Sequence, residues 1–221
     1  MKNLLLLLLL SIVLFTCSIS HAQLGRFMNS NPYWKGEIIM TDGTKLSGEI
    51  QVPHKVGINK IKIKKCKSCK TKKIIASDIK MLTVLSPKEN NKYSFHYTKV
   101  YLSKRQKKAR YAGLYLVYAS NNYATIYKAS QTYKVKKKGE HIILSYVAAP
   151  GDFPSVDHYI KKRDSDKTEL LASTNLVNGR RNMMRLLEDA PVIWKRIESN
   201  ELGINHADLI SREYLKETND Y

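Results

Sequence analysis

The chain has 221 residues, and 38 lysine and arginine residues against 19 acidic residues give it a formal net charge of +19. Its length leaves room for no more than one large or two small domains. The charge is uneven, because residues 188–221 hold eight acids against four bases, a net −4, whereas residues 23–187 carry +22. This asymmetry indicates a polyanionic partner or an internal contact between the basic and acidic parts.

Residues 1–22 have the pattern of a secretory signal peptide. An early lysine is followed by the uncharged run Leu4–Phe15, which is too short to span a bilayer. Ser20 and Ala22 then supply the small residues at positions −3 and −1 of a cleavage site. We therefore expect cleavage before Gln23, no transmembrane segment in the mature chain, and a periplasmic or secreted protein.

A lipid anchor is the alternative to a free exported protein. Cys17 is the residue that could carry the lipid. The phenylalanine and threonine that precede it replace the small residues of a lipobox. This alternative would place the protein at a membrane surface.

Residues 33–86 are predicted to form an SH3-like or Sm-like small barrel. Asp42-Gly43 separates two apolar-alternating arms, which is typical of a hairpin whose two turn residues both have positive φ. Gly36 and Gly48 lie in the arms, where strands of small barrels bend. Further short strands are predicted from the apolar residues in 57–65, 74–76 and 79–85.

Residues 93–173 are predicted to continue as a β-meander. Asn121-Asn122 is expected at a second hairpin turn, because asparagine tolerates positive φ. The polar residues 164–167 separate two apolar runs and indicate a further hairpin.

Residues 180–218 are predicted to form a short helical tail, so the fold class is mainly β (α+β). From Asn182 the apolar residues recur at helical spacing. Pro191 is expected in the first turn of a second helix, and Asn205 is expected to cap the last one.

Three features of the chain resemble a group of known sequences. They are the leader ending in Ala-Gln, the hairpin Lys-Gly-x-Ile…Asp-Gly…Leu-x-Gly-x-Ile, and the tail motif Leu-Glu-Asp-Ala-Pro-x-x-x-x-x-Ile. Together they resemble uncharacterised exported proteins of Bacteroidetes-type bacteria. The resemblance implies a location in the cell envelope and assigns no functional residues.

Cys66-x-x-Cys69 is the sharpest local motif and has three interpretations. The pair could close a hairpin tip as a disulfide in an oxidising compartment. It could be a redox pair, since neighbouring lysines favour the thiolate, although such pairs usually begin a helix. It could also be half of a zinc site, but no second cysteine pair is present, and His54, His96 and His141 are scattered.

Lysines are the other prominent feature, and they form clusters in 60–73, 104–110 and 134–138. If the strands place them on one face, they could bind phosphate or sulfate groups with salt-sensitive affinity. The alternative is a solvated face that prevents edge strands from pairing. Tyrosines near the lysines could stack bases or sugars, but at strand spacing they are more simply core residues. The candidate anion-binding residues are Lys60, Lys62, Lys64, Lys72, Lys73, Lys104, Arg105, Lys107 and Lys108.

Signatures of enzymes are missing from the sequence. It has no nucleophile elbow, zinc-protease motif, phosphate loop or dinucleotide fingerprint. Asp157-His158 and the acids Asp164, Asp166 and Glu169 are interpreted as turn or surface residues. We expect no cofactor and no resident metal.

The sequence therefore favours an exported, non-catalytic binding or scaffold protein of the cell envelope. Its partner would be an anionic envelope polymer or a lipid surface, and export argues against nucleic acid. The alternative is an envelope redox or metal-binding protein that uses the two cysteines. A hydrolase with an unrecognised site is a third class, because residues distant in sequence can assemble a catalytic site.

Overall fold

The structure, a computed structural model, describes residues 31–88, 90–136, 141–145, 155–173 and 179–219. The predicted leader, its cleavage site and Cys17 lie outside the described residues, as do two of the lysines in the 134–138 cluster. The chain from Pro32 onward forms one compact unit. It is mainly β, with helices at its C-terminal end, as predicted. No helix in the described ranges is long and apolar enough to cross a membrane.

Ten of the twelve strands found in the described residues belong to one sheet, in the order β12-β11-β8-β7-β6-β5-β1-β2-β3-β4, and β9 and β10 form a separate hairpin. The strands are β1 Tyr33–Met40, β2 Lys45–Gln51, β3 Lys60–Lys64, β4 Lys72–Ile75, β5 Ile79–Leu85, β6 Lys92–Tyr101, β7 Tyr111–Ser120, β8 Ala124–Ala129, β9 Thr132–Val135, β10 Ile142–Ser145, β11 Asp157–Lys162 and β12 Thr168–Ser173.

The predicted glycines of the first hairpin lie where neighbouring strands approach closely. Gly36 and Gly48 are opposite each other in the β1–β2 ladder. A Cβ atom on Gly36 would lie 2.1 Å from the carbonyl oxygen of Thr83, and one on Gly48 would lie 2.3 Å from that of Lys64. Only glycine therefore fits at this pair of positions without moving a neighbouring strand.

All three predicted hairpins exist, and residues 164–167 lie between the antiparallel strands β11 and β12 as expected. At Asp42-Gly43 and Asn121-Asn122, however, the turn geometry differs from the expected one. Gly43 has a φ of 88°, whereas Asp42 does not have a positive φ. Asp42 instead accepts a hydrogen bond from the Thr44 amide (2.8 Å). Asn121 likewise has no positive φ, and its side-chain oxygen accepts hydrogen bonds from the amides of the two residues that follow Asn122. In both turns, a side-chain oxygen that accepts backbone N–H groups stabilises the turn, and the residue that carries it does not need a positive φ.

One hydrophobic core lies on the buried face of β1 to β5. It includes Trp34, Ile38 and Leu82, and it continues onto Phe95 of β6. Tyr133 of β9 packs edge-on against Phe95, with ring centroids 5.4 Å apart. The β9–β10 hairpin therefore covers part of this core.

The C-terminal strands close a ring of five in the order β6-β7-β8-β11-β12. Its closing contact is a parallel pairing in which Thr168 of β12 lies opposite Val100 of β6. Inside the ring, Tyr115 contacts Tyr127 and Tyr159 edge-on. These tyrosines are buried, so they are core residues rather than stacking platforms.

Three helices cover the outer face of this ring: α1 Gly179–Leu186, α2 Pro191–Glu198 and α3 Ala207–Glu217. They share a core with Ile160 and Leu171 of the last two strands. Pro191 is in the first turn of α2, as predicted. The prediction for Asn205 is wrong, because it lies in a 3₁₀ turn and α3 begins without a side-chain cap.

Candidate anion-binding surface

The β3–β4 hairpin separates its lysines from its isoleucines by strand alternation. Ile61 and Ile74 are opposite each other and buried, whereas Lys62 is opposite Lys73. Residues directly opposite in an antiparallel pair share a face of the sheet. The solvent side of this hairpin, which we call the hairpin face, consists of Lys60, Lys62, Lys64, Lys73 and Ile75.

Lys72 does not belong to the hairpin face. It is opposite the buried Ile63 and therefore points to the other side of the sheet, although it is exposed at the edge. The structure thus divides the predicted cluster, because two consecutive strand residues cannot share a face. Lys72 can still contribute to the local potential at this edge.

Positive charge on the hairpin face is not neutralised by an ion pair with any described residue. Lys64 is opposite Glu49 in the ladder, and its ammonium lies 4.7 Å from the ring centroid of Tyr33. Lys62 and Lys73 face each other, and β4 offers them no acidic or aromatic side chain. β4 is also the last strand in the sheet order. Like charges opposite each other on strands are destabilising, so a bound anion would relieve this repulsion.

The tip of the same hairpin holds the two cysteines. Cys66 and Cys69 lie at disulfide distance, with Cα atoms 5.0 Å apart, and the Cys69 amide donates to the Cys66 carbonyl. Lys65, Lys67 and Lys70 around them are exposed. Across the described part of the chain, no group of three histidine, cysteine or acidic residues is arranged to hold a metal ion.

The second predicted cluster lies in a different part of the sheet. Lys104, Arg105, Lys107 and Lys108 are exposed in the loop between β6 and β7. This loop is held by the ammonium of Lys167, which donates to two of its carbonyl groups. Three strands, β5, β1 and β2, lie between β6 and β3 in the sheet. The two lysine clusters are therefore not on neighbouring strands.

Acidic residues of the tail do contact basic residues of the body, but no described one forms an ion pair with the hairpin face. Asp189, just before α2, accepts hydrogen bonds from Lys162 (2.6 Å) and from the hydroxyl groups of Tyr123 (2.6 Å) and Tyr214 (3.1 Å). Partial burial would raise the pKa of Asp189, yet the hydrogen bonds hold it below its ordinary value. The expected internal contact between acidic and basic parts therefore attaches the helices to the ring.

Asp208 of α3 makes the second contact of this kind. Its carboxylate accepts hydrogen bonds from Lys128 (2.6 and 2.8 Å) and from His158 Nε2 (2.6 Å). Partial burial by itself would raise the pKa of Asp208, but these hydrogen bonds hold the pKa below its ordinary value. With Val156 and Asn205, the three residues line a pocket of about 330 Å³.

The interpretation of His158 as a turn or surface residue is wrong. It is only 5% exposed, and its Nδ1 atom has no hydrogen-bond partner among the described residues. Burial lowers the pKa of His158, although the hydrogen bond to Asp208 opposes this shift. Asp157 points the other way and accepts from the Tyr159 hydroxyl. Asp208 is 50 residues away in sequence, so no local pattern in the sequence predicts its contact with His158.

Glu169 is the other predicted surface residue that is buried. It is 7% exposed and forms an ion pair with Arg185 of α1 (2.8 Å). Asp164 and Asp166 are exposed, as predicted.

Comparisons with known proteins identify no relatives of this chain. No family model, curated protein or solved structure matches it. Its function is therefore inferred from its own residues and their geometry.

Proposed function

We propose that the protein is exported and acts in the bacterial cell envelope as a non-catalytic binding or scaffold protein. Its hairpin face would bind the anionic groups of an envelope polymer or of lipid heads. The observation that carries this proposal is the facing pair Lys62 and Lys73 on the last two strands. Lys73 is exposed, Lys62 is partly exposed, and neither has an acidic partner among the described residues. The leader pattern and the resemblance to exported proteins support the location.

None of the described acidic residues of the tail forms an ion pair with the hairpin face. The ion pairs of Asp208 and Asp189 use Lys128 and Lys162, which belong to the ring. The hairpin lysines therefore keep their charge available to a partner. Because charge is the main attractive force here, affinity should fall steeply with salt and depend little on the chemistry of the polymer.

The strand order supports a small SH3-like or Sm-like barrel for residues 33–86. The five strands follow β5-β1-β2-β3-β4, with a 3₁₀ turn at Ala76–Asp78 between the last two strands in sequence. The Leu114 amide donates to the Val56 carbonyl (3.0 Å), so the segment between β2 and β3 contacts β7. In this proposal, residues 93–173 form the meander and 180–218 the tail.

The test is the salt needed to elute the protein from a sulfated-polymer column. A variant with Lys62, Lys64, Lys72 and Lys73 changed to glutamine should elute at clearly lower salt than the unchanged protein. The matched control changes four other exposed strand lysines to glutamine: Lys45, Lys80, Lys92 and Lys99. If both variants elute at the same salt while folded, only net charge matters and the hairpin face is not a site.

The alternative is an envelope redox or metal-binding protein. It is favoured by the exposed position of Cys66 beside three lysines, which would stabilise a thiolate. Titration of free thiols and measurement of bound zinc in the purified protein distinguish the two. Disulfide-reductase activity or stoichiometric zinc, lost when both cysteines become serine, would favour the alternative.

A further inference from the structure

In the part of the chain that the structure describes, β4 is an edge strand of the ten-stranded sheet. Among the described residues it pairs only with β3. The Ala76 amide donates to the Asn59 carbonyl (2.9 Å), and this pair is in register with the β3–β4 ladder. Hydrogen-bonded and non-hydrogen-bonded pairs alternate in an antiparallel ladder. Lys73 and Ile75 therefore occupy non-hydrogen-bonded positions, and their backbone N–H and C=O groups point outward from the edge.

Side chains at this edge combine charge with apolar surface. Ile75 is 52% exposed, so an apolar side chain is accessible to a partner at this edge. Lys73 lies on the same face, two residues away, and Lys72 is exposed on the other face. If a second copy of β4 paired with this edge, lysines of the two strands would lie close together and repel each other. A strand with acidic side chains would instead be attracted.

We propose that the β4 edge binds an extended acidic polypeptide segment, which adds to the sheet as an eleventh strand. The outward N–H and C=O groups of Lys73 and Ile75 would hydrogen-bond to its backbone. One of its acidic side chains would face Lys73 and Lys62, and an apolar side chain two residues away would face Ile75. This inference rests on the proposed function for the role of the lysines, and it adds recognition of a peptide backbone.

Proline at position 75 tests the backbone contact without changing charge. Ile75 has a φ of −68°, which proline adopts, and its N–H has no partner in the ladder. Ile75→Pro should therefore fold normally while it blocks strand addition. Ile75→Val is the matched control, because it keeps both the N–H and a β-branched side chain.

The probe is an eight-residue peptide of alternating glutamate and valine, whose affinity is measured by fluorescence anisotropy. Ile75→Pro should weaken binding at least tenfold, and Ile75→Val less than twofold. The same peptide with alternate backbone nitrogens methylated should also lose binding to the unchanged protein, a result that does not depend on how any variant folds.

The outcomes separate this inference from the proposed function. Equal binding by Ile75→Pro and the unchanged protein, equal binding of the methylated peptide, or no binding of the peptide at all would overturn strand addition. Retention on the sulfated-polymer column should be the same for Ile75→Pro and the unchanged protein. The lysine-to-glutamine variant should lose both kinds of binding.

Discussion

Asp189 is predicted to be the acid on which docking of the helical tail depends most. Its carboxylate accepts from one ammonium and two tyrosine hydroxyl groups, and its side chain is 24% exposed. Tyr214, one of the donors, is fully buried. Asp189→Asn keeps the shape but removes the charge, and it places an amide donor where only acceptors are wanted.

The expected cost follows from these contacts. Hydrogen bonds to charged groups contribute about 1.5–3 kcal/mol each when desolvated, and the partial exposure of Asp189 favours the lower end. Because the asparagine oxygen keeps part of the network, we expect a loss of about 2–4 kcal/mol. This corresponds to a fall of roughly 4–16 °C in Tm for a chain of this size.

The assay is chemical and thermal denaturation of Asp189→Asn beside a control. Glu201→Gln removes the same charge from the tail, but Glu201 pairs with Arg196 at the surface and should have no measurable effect. Since the folded pKa of Asp189 lies below its ordinary value of 3.8, the difference between Asp189→Asn and the unchanged protein should shrink as the pH falls below that value. Equal stability of the two variants at pH 7 would refute the reasoning.

Three further predictions concern other parts of the chain. Gly36→Ala should destabilise by about 1–3 kcal/mol or more, because its Cβ would overlap a carbonyl oxygen, whereas Gly57→Ala, with open space around it, should be nearly neutral in the same denaturation assay. The folded pKa of His158 lies below 6.5, so its contribution to stability is present above pH 6.5 and is lost as the pH falls through the folded value; His158→Gln should flatten the decrease measured between pH 7 and 5. The intact mass of the exported protein should correspond to a chain that begins at Gln23, and a lipid mass on Cys17 would contradict this.

Elements with a local signal were predicted at the right places. The β1–β2 hairpin surrounds Asp42-Gly43, and α2 begins at Pro191, because turn chemistry and proline geometry depend on a few neighbouring residues. The detailed conformation was less predictable. Asp42 was expected to have a positive φ, but it does not. Its side chain instead accepts a hydrogen bond from the Thr44 amide, which stabilises a different turn conformation.

The candidate site was predictable in composition but not in arrangement. The lysines of β3 and β4 are evident in the sequence, as is the alternation that puts Lys62 on the face opposite the buried isoleucines. Register is not, since a shift by one residue would exchange Lys72 for Lys73 on the hairpin face. That register is set by the pairing of Ile61 with Ile74 inside the core.

The sequence by itself determined the strand-rich body, the helical tail, the clusters of lysine and the two cysteines, because each follows from local periodicity, spacing or composition. Only the tertiary structure decided which residues meet across long separations. The pairing of β12 with β6 closes the ring. The packing of the helices on its outer face places Asp189 and Asp208 of the tail against Lys162 and Lys128. These contacts depend on how whole elements pack, and packing is a property of the assembled core that no short stretch of the chain contains.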